Sequence, residues 1–278
     1  MIDPDVVSRH YTRGDLLAAL RSGVAKLGKT PETLTLDDLA PVDEFHIGGR
    51  MATRAFLDQL AIGANDRVLD IGCGIGGASR FAAQTYGCQV IGVDLTDEYV
   101  ETGKVLCAWL GLDAKVELLQ GSVLAMNLPD ASVDKAFMLH VGMNIPDKAA
   151  LAAEVWRVLK PGGVFGIYDI MEVNAEQLVF PVPWATVAAA SSLAPPEAYR
   201  HALTGAGFEI VGERNRREFA LEFFERLKTA AAAAGGPPPL GLHLLMGPDA
   251  PTKVQNMIVN VSQNKVAPVE LIARKAPA

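Results

Sequence analysis

Apolar residues along the chain follow two alternating rhythms. Runs at Arg67–Ile71, Gln89–Asp94, Val116–Gln120, Lys135–Leu139 and Val164–Ile170 are apolar enough to be buried on both faces, and they predict strands. Between them the spacing is helical. One helix follows Gly77 and closes at Gly87; a second has Thr96 as its N-cap with Asp97 and Glu98 in the first turn. A third presents Leu151, Val155, Val158 and Leu159 on one face before Lys160-Pro161-Gly162-Gly163 stops it. This alternation predicts an α/β fold, a Rossmann-like, mostly parallel sheet with helices on both faces.

The flanks differ. Val6, Leu16, Leu17, Leu20, Val24 and Leu27 recur at helical spacing up to Gly28, whereas 30–50 is acidic, broken by Pro31 and Pro41, and reads as loop. A helix is expected from about Met51 to Leu60. Residues 1–60 are therefore expected to be a helical N-terminal extension or lid, and 61–278 the catalytic domain. Insertions that shape a substrate pocket are expected at about 172–194 and 214–265. Late elements are a helix near 196–204, a strand near 208–212, a helix over 218–234, a helix near 252–262 and a strand near 269–273. The Ala-rich run Ala230–Ala234, with the Gly/Pro cluster after it, reads as a surface loop.

Composition narrows the function. Twenty-five Lys and Arg against 32 Asp and Glu leave a net charge of −7, which opposes contact along a nucleic-acid backbone. Cys73, Cys88 and Cys107 are too few and too scattered for a disulfide framework or a zinc site, so no metal is expected. Neither a signal peptide nor a membrane span is legible, and a cytoplasmic protein without membrane partners is expected. Oligomeric state stays open, a homodimer included.

The strongest local signal is Val68-Leu69-Asp70-Ile71-Gly72-Cys73-Gly74-Ile75-Gly76-Gly77, a buried strand running into glycines and then a helix. Glycines let backbone approach a ligand closely, and the helix start adds free amide donors. Gly72, Gly74 and Gly77 satisfy the dinucleotide-binding pattern, and Asp94 ends the next strand where a carboxylate accepts ribose hydroxyls. An NAD-dependent oxidoreductase is thus one reading. Asp70 opposes it: a carboxylate two residues before the first glycine repels a pyrophosphate and attracts a cation.

These residues, with Leu128-Pro129-Asp130, Val133-Asp134 and Leu159-Lys160-Pro161-Gly162-Gly163, resemble the successive motifs of class I S-adenosylmethionine-dependent methyltransferases over about 67–171. The helical N-terminus and Phe45-His46-Ile47-Gly48-Gly49 are most similar to the small-molecule group that includes sarcosine/dimethylglycine and ubiquinone-pathway enzymes. The resemblance implies S-adenosylmethionine as cofactor and S-adenosylhomocysteine as product. Asp70, Gly72 and Gly74 would face its methionine part, Asp94 its ribose, and Leu95, Ser122 and Val123 its adenine, with Leu139 also at the cofactor. A small-molecule methyl acceptor follows, with an amine nitrogen favoured over the oxygen or carbon of a phenol or quinol precursor. Cofactor binding without catalysis is a further reading.

His140, at the carboxyl end of the fourth strand, is the candidate general base. Asn144 stands where relatives often carry a histidine. Tyr11, His46, Asn144, Asp169 and Trp184 are the candidate acceptor-binding residues. The cluster Arg214, Arg216 and Arg217 reads as a solvated face more readily than as an anion site.

Overall fold

The computed structural model describes residues 4–234 and 236–277. Four helices come first: α1 (Pro4–Tyr11), α2 (Leu16–Lys26), α3 (Leu36–Asp43) and α4 (Gly49–Leu57). The alternating region follows as β1 (Arg67–Ile71), α5 (Gly77–Tyr86), β2 (Gln89–Asp94), α6 (Asp97–Trp109), β3 (Val116–Gln120), β4 (Val133–Leu139), α7 (Lys148–Val158) and β5 (Leu159–Glu172). The chain ends with α8 (Pro196–Gly205), β6 (Phe208–Asn215), α9 (Arg217–Ala234), α10 (His243–Met246), α11 (Ala250–Ser262) and β7 (Val266–Lys275).

The seven strands form one sheet in the order β3-β2-β1-β4-β5-β7-β6. Strands β1 to β5 pair in parallel, and β7 lies antiparallel between β5 and β6. The order reverses at β1, so the carboxyl ends of β1 and β4 open the crevice where such sheets bind ligands. One face of the sheet packs Leu69, Ile91, Met138 and Ile167 against α7 and α8, and the other packs Val68, Val90, Phe137 and Tyr168 against α4 and α5.

Three expectations are corrected. The single N-terminal helical stretch is broken between Tyr11 and Leu16, where Gly14 takes φ +90. The acidic 30–50 segment contains α3. Thr35 and Asp38 form a reciprocal capping box there, and Leu36, Leu39 and Val42 bury its apolar face despite Pro41 inside the helix. The Ala-rich run belongs to α9, as the helix expected over 218–234 had it and the loop reading did not, because alanine has the highest helix propensity. Thr96 is the N-cap of α6 without a side-chain capping bond; its amide instead donates to Asp94.

A buried ion pair joins the N-terminal helices to the sheet domain. The Arg80 guanidinium, 0% exposed, donates to Asp43 Oδ1 at 2.5 Å and to the Ile75 carbonyl at 2.6 Å. The arginine cluster on β6 is absorbed structurally: Arg214 and Arg216 pair with Glu270, and Arg217 donates to the carbonyls of Val261 and Ser262.

Candidate active site

The loop leaving β1 turns left-handed at Gly72 (φ +70), Gly74 (φ +54) and Gly76 (φ +78) before α5 begins. A Cβ on Gly72 would stand 2.4 Å from the Val141 side chain, so that glycine is demanded by the protein's own packing as well as by its φ. At Gly74 the nearest atom would be the Tyr99 ring at 3.8 Å, which leaves backbone facing open cavity.

That cavity measures about 730 Å³, within the range that holds a cofactor-sized ligand and more. Asp70, Gly72, Gly74, Asp94, Leu95, Val123, Leu139 and His140 line it together with Tyr11, His46, Asn144 and Trp184. Two sequence candidates do not. The Ser122 hydroxyl accepts the Leu124 amide at 3.2 Å and turns back on its own loop. Asp169 is buried behind β5, where the Tyr199 hydroxyl donates to Oδ2 at 2.6 Å and the Ile170 amide to Oδ1 at 3.0 Å. Burial pushes the Asp169 carboxyl up to about 6. Its role is to join β5 and α8.

Two carboxylates stand at the strand ends. Asp70 accepts from the Ser79 hydroxyl at 2.6 Å, and burial pushes its carboxyl up to about 7. Asp94 accepts the Gly74 amide at 2.9 Å on Oδ2 and the Thr96 amide at 2.8 Å on Oδ1, which fixes its orientation and leaves a lone pair on each oxygen. Burial raises its pKa against those two bonds and one from the Thr96 side chain.

His140 takes φ +54, a conformation uncommon outside glycine, and its amide donates to the Tyr168 carbonyl at 2.8 Å. The imidazole packs on Tyr168 at 5.0 Å between ring centroids and on His46 at 5.8 Å. Its Nε2 is buried without a hydrogen-bond partner. Burial, then the neighbouring His46, holds the ring neutral, well below the ordinary histidine range. His46 is spoken for: its Nε2 meets the Thr53 hydroxyl at 2.9 Å, and Thr53 donates to Glu44, which also receives Arg50. Burial lowers the His46 pKa as well. Tyr11 and Asn144 bond to each other across the cavity wall, Nδ2 to Oη at 3.0 Å. The Trp184 indole donates to Ser191 Oγ at 2.9 Å.

The sequence reading missed Tyr99, Glu44 and the far wall. Tyr99 lies one turn into α6 beside Gly74, and its hydroxyl is buried without a partner. Phe223, Phe224 and Leu227 of α9 and Val254 and Met257 of α11 line the other end. Helical spacing of apolar residues in 219–227 was a visible signal for α9 and gave no hint of what it faces. Glycine cradle, ribose-type carboxylate and orphaned phenol together fit a nucleoside cofactor bearing an amino acid. Among the described residues no group of three or more His, Cys, Asp or Glu could hold a metal ion.

Residues 68–163 match the model of a family described as a methyltransferase domain. The sterol 24-C-methyltransferase of Eremothecium gossypii is 32% identical over 166 residues, 58% of this chain and 44% of that protein. The chain thus spans under half of that relative's length. Among solved structures, the 4+2 cyclase SpnF superposes with a TM-score of 0.72 at 21% identity, covering 99% of this chain and 97% of that one. The geranyl diphosphate C-methyltransferase from Streptomyces coelicolor A3(2), in complex with S-adenosylhomocysteine, superposes at 0.71 with 18% identity over 98% of each chain. Over residues 68–163 the chain thus matches a methyltransferase domain, and its fold is that of these solved structures.

Proposed function

We propose that this protein transfers the methyl group of S-adenosylmethionine to a small-molecule acceptor whose nucleophilic atom is presented to His140. The observation that carries this is the buried Nε2 of His140, unpartnered on the wall of the cavity that the glycine loop opens. When bound, the cofactor supplies an electrophilic methyl on a sulfonium sulfur, already a good leaving group. The chain's own task is alignment in a dry pocket.

Asp70, Gly72, Gly74, Asp94, Leu95, Val123, Leu139 and Tyr99 would hold the cofactor. His140, neutral through burial, can take the acceptor's proton at Nε2, and Tyr168 and His46 fix its ring. Tyr11, Asn144 and Trp184 bound the acceptor space, and residues 1–60 act in this reading as its cover. The family resemblance favours an amine nitrogen. A neutral imidazole at the acceptor supports instead a nucleophile that must shed a proton, a hydroxyl or an activated carbon. A second reading, ligand and cofactor bound without methyl transfer, has the whole-chain likeness to a cyclase behind it.

The test is transfer of labelled methyl from S-adenosylmethionine to a panel of phenols, quinols and amines. Product with wild type and its loss in His140→Asn support the proposal. Silence across the panel with cofactor binding intact favours the second reading.

A further inference from the structure

The nature of the acceptor can be read from the charges on the cavity wall, given the methyltransferase reading above. Four carboxylates line it: Asp43, Glu44, Asp70 and Asp94. Asp43 is bound to Arg80, and Glu44 to Arg50 and the Thr53 hydroxyl, so neither presents a free charge to a ligand. The remaining two acids sit at the ends of β1 and β2, on the cofactor side. Among the described residues no lysine or arginine lines the cavity.

The wall away from the strand ends is mainly apolar, with His243 of α10 and Gln255 of α11 as its polar members. Phe223, Phe224 and Leu227 come from α9, Met246 from α10, and Val254 and Met257 from α11. A phosphate or carboxylate buried there would meet no lysine or arginine, and an ammonium would find Asp43 and Glu44 already paired. Orphaned polar atoms add a second, independent constraint. Among the described residues four are buried without partners: Asp43 Oδ2 and Arg80 Nε within one ion pair, Tyr99 Oη beside the glycine loop, and His140 Nε2. Tyr99 is on the cofactor side, which leaves His140 Nε2 for an acceptor; the atom is itself covered, so the imidazole, which lines the cavity through its other atoms, must turn to present it.

We infer that the half of the cavity walled by α9, α10 and α11 binds a neutral, lipophilic acceptor bearing a single ionisable hydroxyl, an alkylated phenol or enol. Its hydroxyl meets His140 Nε2, and its apolar body lies against Phe224, Met246 and Met257. Leu227, 45% exposed, is the part of this wall that reaches solvent.

The experiment is calorimetric titration of the full chain, first with S-adenosylhomocysteine. The saturated protein is then titrated with para-cresol, para-butylphenol and para-octylphenol. Each methylene buried is worth about fourfold in affinity, so para-butylphenol is expected to bind at least about tenfold tighter than para-cresol. Para-octylphenyl phosphate and sarcosine are expected to bind at least about tenfold more weakly than para-octylphenol. Met257→Arg and, at the more exposed position, Leu227→Arg are each expected to weaken para-octylphenol while S-adenosylhomocysteine still binds. Equal affinity along the phenol series, or tighter binding of the phosphate or of sarcosine, overturns the inference. Failure in the first titration overturns the cofactor reading on which it rests, and is seen before any acceptor is added.

Discussion

Tyr99 and His140 each bury a polar atom that the protein itself leaves unsatisfied, and a cost of about 1–3 kcal/mol attaches to such an atom. A ligand that supplies the missing partner recovers that cost on binding. Tyr99→Phe is therefore expected to leave the free protein as stable as wild type or more so, and to weaken S-adenosylhomocysteine by about 0.5–1.5 kcal/mol. Thermal melting and calorimetry read the two halves separately, and unchanged affinity would show that the phenol does not meet the cofactor. For His140 the informative change is to asparagine, which tolerates the positive φ found there. Turnover is expected to fall by about 10²–10⁴, the usual contribution of a positioned base, with cofactor affinity retained. The pH profile adds a sign. Neutral imidazole is the active form, and burial holds its pKa well below the usual 6.5, so wild-type activity should be lost only as pH falls beneath that value. An acid limb that persists unmoved in His140→Asn would assign it to another group.

Helices and strands differ in how much of the site they made legible. Strands β1, β2 and β3 begin and end where the apolar runs do: β1 and β2 are buried on both faces, while β3, at the sheet edge, alternates buried and exposed positions. The cofactor half was readable for the same reason: Asp70, Gly72, Gly74 and Asp94 sit at strand ends, where chain order and space coincide. The acceptor half was hidden, since α9, α10 and α11 face the crevice only through tertiary packing. Helix α3 was hidden by Pro41 and its acidic residues, although Thr35 and Asp38 carried the capping signature. That helix also bears a testable energy. Asp43 on α3 neutralises the fully buried Arg80 on α5, and removing one member strands the other charge. Asp43→Ala is expected to cost about 3–5 kcal/mol of stability. Because Asp43 also lines the cavity, cofactor affinity should drop with it. Denaturant titration measures the first effect, and a loss below about 1 kcal/mol would mean the pair is solvated, as surface pairs are.

Over the whole molecule, buried acids and buried histidines pull the pH dependence of stability in opposite directions. Burial raises Asp70 to about 7 and Asp169 to about 6, so the folded state holds protons that the unfolded chain releases near its ordinary value of 3.8. Their contribution is largest at low pH and is lost as pH rises through 6 to 7. Burial also lowers His10, His46 and His140, which stay neutral in the fold while the unfolded chain takes up protons below 6.5; stability from these falls as pH falls. Between about pH 4 and 6.5 the two sets oppose, and wild type should show a shallow dependence there. Asp70→Asn removes one acid from the balance. Relative to wild type, the free variant should melt somewhat higher near pH 5, where the folded state keeps Asp70 protonated but the unfolded chain has released its proton, and higher by a wider margin near pH 8, where wild type must bury a charge. With S-adenosylhomocysteine bound the order at pH 8 should invert, because the ligand's ammonium needs the carboxylate that the empty fold pays to bury. Melting both proteins with and without ligand at the two pH values gives the four comparisons. If the variant gains nothing at pH 8 without ligand, Asp70 is solvated in the free protein and its charge costs the fold nothing.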